Sequence, residues 1–152
     1  MKITAQEEYG LRCLLQLARA DPQGVLTVKA IAQREGISLA YAEKLLRVLS
    51  KAGLAQSVRG TRGGYGLTRP VNTLTLGDVV RALGAIPSTM AICERFTGNR
   101  AACIHLANCG IRSAWAGLTR YIQQFLDETP LASLIKAEQD VPQLLPWPTQ
   151  SG

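Results

Sequence analysis

The segment from residue 27 to residue 67 constrains the fold most, because its apolar periodicity changes from helical to strand-like. Thr27 can cap a short helix that Gly36 ends, and Ser38 can cap a second helix that Gly53 ends. After this second helix the apolar residues alternate with a period of two, which predicts a β-hairpin. Two short helices around a glycine turn, followed directly by a hairpin, predict a winged helix-turn-helix.

The tip of the predicted hairpin is basic and rich in glycine, with the sequence Arg59-Gly-Thr-Arg-Gly-Gly64. Glycine allows a backbone to approach a ligand closely, and arginine can reach a phosphate or a narrow minor groove. A strand follows the tip instead of a helix, which argues against a nucleotide-binding loop. We therefore expect Arg59 and Arg62 to face DNA.

Positive charge is concentrated in the first half of the chain. The net charge is +6, of which residues 1–80 contribute +5 and residues 81–152 contribute +1. Residues 44–69 contain no acidic residue, and Lys44 and Arg47 lie on the second helix of the predicted helix-turn-helix. A solvated basic surface is the alternative interpretation, but the hairpin pattern favours a DNA-binding face.

Two further helices complete the first part of the chain. Thr4 and Glu7 form a capping-box pattern before an apolar stripe that Asp21-Pro22 interrupts, and Thr75 with Asp78 can cap a fourth helix. The expected fold class is mainly α with a small β-hairpin. We assign residues 1–83 to a winged helix-turn-helix DNA-binding domain.

A long amphipathic helix is predicted near the end of the chain. Its apolar residues are spaced by four, three, four and three: Ile111, Trp115, Leu118, Ile122 and Phe125. A second copy of the same stripe is the simplest partner, which predicts a homodimer, although the helix could instead fold back on its own domain. Residues 110–137 are thus assigned to a dimerisation helix and a short terminal helix, and residues 138–152 to a disordered tail.

Three cysteines lie in residues 84–109, a segment without sustained apolar periodicity that we call the cluster loop. Cys93, Cys103 and Cys109 are separated by nine and five residues, which is not zinc-ribbon spacing. An iron-sulfur cluster tolerates wider spacing and a fourth ligand of another type, either His105 or Glu8 of the partner subunit. The alternatives are a reversible redox pair and incidental half-buried thiols. Cys13 lies on an apolar helical stripe and is expected to pack in the core.

Several classes of protein are not expected. The chain has a single histidine and lacks a nucleophile elbow, a P-loop and an H-E-x-x-H motif, so we expect no enzyme. No apolar run approaches the roughly 18 residues of a membrane span. The first residues lack the apolar core of a secretory signal, which predicts a reducing, cytoplasmic location without structural disulfides.

Four sequence patterns together resemble the Rrf-two (Rrf2) family of transcriptional regulators, which includes IscR, NsrR and RirA. These are Met1-Lys-Ile-Thr-x-x-x-Glu-Tyr-Gly-Leu-Arg12, Gly36-Ile-Ser-x-x-Tyr-x-Glu-Lys-Leu-Leu46, Ser57-Val-Arg-Gly-x-x-Gly-Gly-Tyr65 and the C-x5-C pair. The resemblance covers about residues 1–135. It implies a dimeric winged-helix repressor or activator, and many members hold a two-iron or four-iron cluster.

The resemblance also implies roles for individual residues. Cys93, Cys103 and Cys109 would be cluster ligands, and Glu8 matches the position of an acidic fourth ligand in some members. The DNA-facing residues would be Ser38, Tyr41, Glu43 and Arg59, of which Glu43 can accept a hydrogen bond from cytosine N4. Proteins of the IscR type have a histidine three residues after the last cysteine. This chain has Arg112 at that position, which argues against that subtype.

The expected function is therefore a DNA-binding transcriptional regulator, most simply a repressor, acting as a homodimer on a pseudo-palindromic operator. An iron-sulfur cluster that senses iron, nitric oxide or redox state would control its affinity for double-stranded DNA. Two alternatives stay open: a cluster-free thiol redox switch, and an iron-sulfur carrier or assembly protein.

Overall fold

The computed structural model describes residues 3–20, 24–61, 63–84, 93, 98–105 and 107–136. This part of the chain is mostly helical with one antiparallel hairpin, which confirms the expected fold class. Its elements are α1 (Ala5–Ala20), α2 (Val28–Glu35), α3 (Leu39–Lys51), β1 (Ala55–Val58), β2 (Gly64–Leu67), α4 (Leu76–Leu83) and α5 (Gly110–Glu128), with 3-10 turns at Val71–Thr73 and Leu131–Ile135. None of the described helices is long and apolar enough to cross a membrane. The predicted tail at residues 138–152 lies outside the described residues.

The caps of the helix-turn-helix form as the sequence predicts. The Thr27 hydroxyl oxygen accepts a hydrogen bond from the backbone N–H of Ala30 at 3.1 Å, and Ser38 accepts one from Tyr41 at 3.2 Å. Gly36 ends α2 with φ of +64°, a left-handed conformation that glycine adopts without steric cost. The Gly36 and Ser38 caps together fix the tight turn between α2 and α3.

The wing is extended by an isolated β-bridge that the periodicity does not predict. β1 and β2 pair antiparallel, with Ala55 opposite Leu67 and Val58 opposite Gly64. Leu26 then pairs with Tyr65 on the free edge of β2 through two backbone hydrogen bonds of 2.9 Å. The wing is thereby joined to the segment that leads into α2.

The core lies where α1, α3 and α4 meet. Its buried side chains recur at helical spacing, which explains why these three helices are amphipathic. Its members are Cys13, Leu14, Leu17, Ile31, Leu45, Leu46, Leu49, Leu54, Ala55, Leu74, Val79, Leu83 and Leu131. All but one of these residues belong to the first 83 residues.

The exception, Leu131, connects the end of the described chain to this core. Its side chain is 0% exposed, and its backbone N–H donates to the carbonyl of Leu74 at 2.8 Å. Close by, the Leu76 N–H donates to the carbonyl of Thr129 at 2.9 Å. The C-terminal end of α5 is therefore fixed to the start of α4.

Charged side chains link the wing, α4 and α5 in a row. Arg69, just after β2, contacts Asp78 at 3.0 Å; Arg81 contacts Asp78 at 3.3 Å and Asp127 at 2.5 Å. Partial burial raises the pKa of Asp78, but the Thr75 N–H and the two arginines outweigh burial, so the pKa is lowered overall. Because the arginines are nearly half exposed, each pair contributes little stability by itself.

Candidate nucleic-acid interface

Helix α3 has one buried face and one exposed face, as a recognition helix requires. The buried face consists of Ala42, Leu45, Leu46 and Leu49. The opposite side carries exposed or half-exposed residues at positions spaced by three, four and seven: Leu39, Ala40, Glu43, Lys44 and Arg47. This second set is the surface that could enter a major groove.

The first predicted DNA-facing residues on α3 have different surroundings. Ser38 is exposed, and because its hydroxyl accepts the capping bond, its own proton stays available for a phosphate oxygen. Tyr41 is half-buried, with its ring edge-on to Tyr9 at 6.2 Å between centroids. The structure thus gives Tyr41 a packing contact, while the prediction that it faces DNA stays untested.

Glu43 and Arg47 form an ion pair along the exposed face. The closest N–O distance is 3.4 Å, and the side chains of Arg47 and Glu43 are 75% and 44% exposed. Such i,i+4 pairs contribute only about 0.3–0.5 kcal/mol. Both side chains can therefore exchange this contact for one with DNA at little cost.

The wing tip presents Arg59 directly after β1, and its side chain is exposed. Gly60 has φ of +126°, a conformation that other residues rarely adopt, and its carbonyl accepts a bond from Gly63 N–H at 2.9 Å. Substitution of Gly60 would strain the tip. Arg62 lies outside the described residues.

The cysteines of the cluster loop are free and half-buried in the described chain. Cys93, Cys103 and Cys109 are in no disulfide, and Cys109 is the residue before the first turn of α5. Their thiols match the soft ligands that iron-sulfur clusters use, so the donor chemistry fits. Among the described residues, however, no three histidine, cysteine or acidic side chains are grouped closely enough to hold a metal ion.

The two candidates for the fourth ligand, Glu8 and His105, likewise belong to no metal-binding group among the described residues. Glu8 is exposed on α1 and pairs with Arg12 at 3.0 Å, while Arg12 also lies 5.8 Å from the Tyr9 ring centroid. His105 is exposed in the cluster loop. Glu8 would have to exchange Arg12 for a metal ion, and an exposed pair of this kind opposes that exchange only weakly.

Cys13 differs from the other thiols because it is part of the core. It is 0% exposed, and burial together with the nearby charge of Glu35 raises its pKa to about 12. A thiol reacts as its thiolate, so Cys13 is unreactive in the folded protein.

We expect a disulfide reagent to modify the other three cysteines of the metal-free folded chain rapidly, and Cys13 only after denaturation. Mass spectrometry of the modified protein checks this; early labelling of Cys13 would contradict its burial.

The N-terminal two-thirds of α5 expose large apolar side chains. Ile111, Trp115, Leu118 and Tyr121 are between 44% and 68% exposed. Further along, Ile122 and Phe125 are half-buried and Leu126 is buried, where α5 approaches α4. Among the described residues, the predicted stripe is thus covered only toward its C-terminal end.

Comparisons with known proteins agree with this architecture. The model of the family "Rrf2: Iron-dependent Transcriptional regulator" matches residues 3–137. The chain belongs to the Rrf2 family. Protein rrf2 of Nitratidesulfovibrio vulgaris is 36% identical over 136 residues, covering 90% of this chain and 88% of that protein.

Two solved Rrf2-family structures are also similar. IscR of T. potens has 31% identity and a TM-score of 0.69, covering 89% of this chain and 86% of its own. CymR (YrzC), the global cysteine regulator of B. subtilis, has 30% identity and a TM-score of 0.72, covering 89% of this chain and 96% of its own. As a member of the Rrf2 family, this chain is a DNA-binding transcriptional regulator and not an enzyme.

Two features of this Rrf2-family chain were not predicted from its sequence. Leu39 and Ala40 are exposed on the first turn of α3, between the predicted contacts Ser38 and Tyr41. The helical wheel of α3 could have shown this for Ala40, which lies opposite Leu49, but not for Leu39, which lies seven residues before the buried Leu46. The burial of Leu131 had no comparable local signal.

Proposed function

We propose that the chain is a cytoplasmic repressor that binds a pseudo-palindromic operator as a homodimer. The observation that supports this most is the exposed face of α3 together with the exposed Arg59 at the wing tip. The exposed apolar part of α5 supports the dimer, since Ile111 and Trp115 would be covered by a second copy. Two such subunits would place two recognition helices on one side of a duplex.

We further propose that an iron-sulfur cluster controls DNA affinity, with Cys93, Cys103 and Cys109 as ligands and Glu8 of the partner subunit, or His105, as the fourth. The bound cluster would supply a redox-active, nitric-oxide-reactive and iron-dependent centre. The three cysteine ligands would fix the conformation of the cluster loop between α4 and α5. The carbonyl of Leu83, directly before this loop, accepts a 2.7 Å hydrogen bond from the Gln6 side chain on α1. A change in the loop would therefore alter a contact with α1.

A thiol switch is the second candidate, and the free thiols of Cys103 and Cys109 favour it directly. Their oxidation to a disulfide would release two protons and two electrons to an oxidant such as hydrogen peroxide. The similarity to CymR, the global cysteine regulator of B. subtilis, is consistent with this candidate. The similarity to IscR is consistent with the first candidate. Membership of the Rrf2 family favours either switch over a carrier or assembly protein.

DNA binding by the proposed surface can be tested with Arg59→Ala. A duplex enriched from a random-sequence library would be titrated by fluorescence anisotropy at several salt concentrations. Loss of one phosphate contact should weaken binding and reduce the slope of log K against log salt by about 1. Arg120→Ala is the matched control, because Arg120 lies on α5 and outside α3 and the wing.

The control should match the unaltered chain in affinity and in salt slope. Equal losses in both variants would show a general charge effect instead of a wing contact. Absence of any salt-dependent DNA binding would overturn the proposed function.

A further inference from the structure

The first turn of α3 carries an exposed leucine. Leu39 is 50% exposed, although it begins a helix whose other leucines are fully buried. Single exposed apolar residues are common on protein surfaces, so exposure alone indicates little. The position is informative, because the N-terminal residues of a recognition helix are the ones that contact base edges.

The polar residues of this first turn also have contacts within the protein. The Ser38 hydroxyl accepts the capping bond from Tyr41 N–H, and the Tyr41 ring packs against Tyr9. Ala42 is 0% exposed. Apart from the Ser38 hydroxyl, the exposed side chains that this turn offers to a groove are therefore apolar, namely Leu39 and its neighbour Ala40.

One group in the major groove is complementary to such a surface. Thymine presents a C5-methyl group there, whereas the other base edges present hydrogen-bond donors and acceptors. Leu39 also lies one helical turn before Glu43, on the same side of α3. The four-residue rise of about 6 Å corresponds to roughly two base pairs at 3.4 Å each.

We propose that Leu39, with Ala40, is a specificity-determining residue that recognises a thymine methyl group in each operator half-site. This thymine lies within about two base pairs of the base that Glu43 contacts. Arg59 supplies affinity from the wing, while Leu39 distinguishes thymine from the other bases. The proposal deepens the proposed function and rests on it.

The test uses the full chain and a binding sequence that the chain itself selects from a random duplex library. Each thymine in that sequence is then replaced by deoxyuridine, which removes only the methyl group. At one thymine per half-site we expect this replacement to weaken binding by about fourfold, as for loss of one buried methyl group. Leu39→Ala should bind the thymine and deoxyuridine duplexes equally.

Arg59→Ala is the control, since it should bind all duplexes more weakly and still show the methyl effect of about fourfold. A deoxyuridine scan without effect on the unaltered chain would overturn the proposal, as would an equal methyl effect in Leu39→Ala. Failure of the selection to enrich any sequence would overturn the proposed function itself, and the role of Leu39 with it.

Discussion

Replacement of Cys103 by alanine is expected to abolish cluster binding and regulation while leaving the fold intact. Cys103 is half-buried in the cluster loop, outside the hydrophobic core, so its loss removes a ligand without removing packing. The unaltered chain, purified without oxygen, should show visible charge-transfer absorbance and contain iron matched by sulfide. The variant should be colourless, and its DNA affinity should no longer change with iron chelation or nitric oxide.

Cys13→Ala is the matched control for this experiment. It also removes one thiol, but from the core, so it should lower stability slightly and retain both iron and regulation. If Cys103→Ala still bound iron and still responded, the ligand assignment would be wrong. If the unaltered chain were colourless and could not be reconstituted, yet lost DNA affinity on oxidation, the thiol switch would replace the cluster.

Replacement of Leu131 by alanine is expected to destabilise the whole DNA-binding domain. Leu131 is 0% exposed and packs in the core with residues of α1 and α4, although it lies far from them in sequence. A buried Leu→Ala change of this kind costs about 2–5 kcal/mol. Urea unfolding followed by far-ultraviolet circular dichroism measures the free energy of unfolding directly.

The same substitution at an exposed leucine provides the comparison. Leu39→Ala should change the free energy of unfolding by about 0.5 kcal/mol or less, because Leu39 is half exposed. Similar decreases in the free energy of unfolding for Leu131→Ala and Leu39→Ala would contradict the difference in burial between the two leucines. A stable Leu131→Ala variant would show that the segment after α5 is dispensable for the core.

The local elements could be predicted from the sequence because their signals are local. Thr27, Ser38 and Thr75 each cap a helix through bonds to residues three positions away, and Gly36 ends α2 with a positive φ. The alternation after Gly53 likewise indicated the hairpin. Capping, helix termination and strand period depend on neighbours in the chain, which a single sequence displays in full.

Contacts between distant segments could not be predicted in this way. The pairing of Leu26 with Tyr65 and the burial of Leu131 depend on how complete elements come together. The apolar stripe of α5 was visible, but periodicity does not say what covers it. In the part of the chain that the structure describes, only its C-terminal end is buried, where α5 approaches α4. Cys103 and Cys109 were recognisable by residue type, but residue type does not say which side chains the fold brings together.

The position of Leu131 in the core has a consequence for biosynthesis. α1 leaves the ribosome well before α5, yet one of its buried partners is among the last described residues to be made. Such long-range contacts slow folding, because the intervening chain must be ordered before they form. A nascent chain that has emerged only as far as the wing therefore has an unfinished core. Acquisition of the DNA-binding fold is coupled to synthesis of the polypeptide beyond α5.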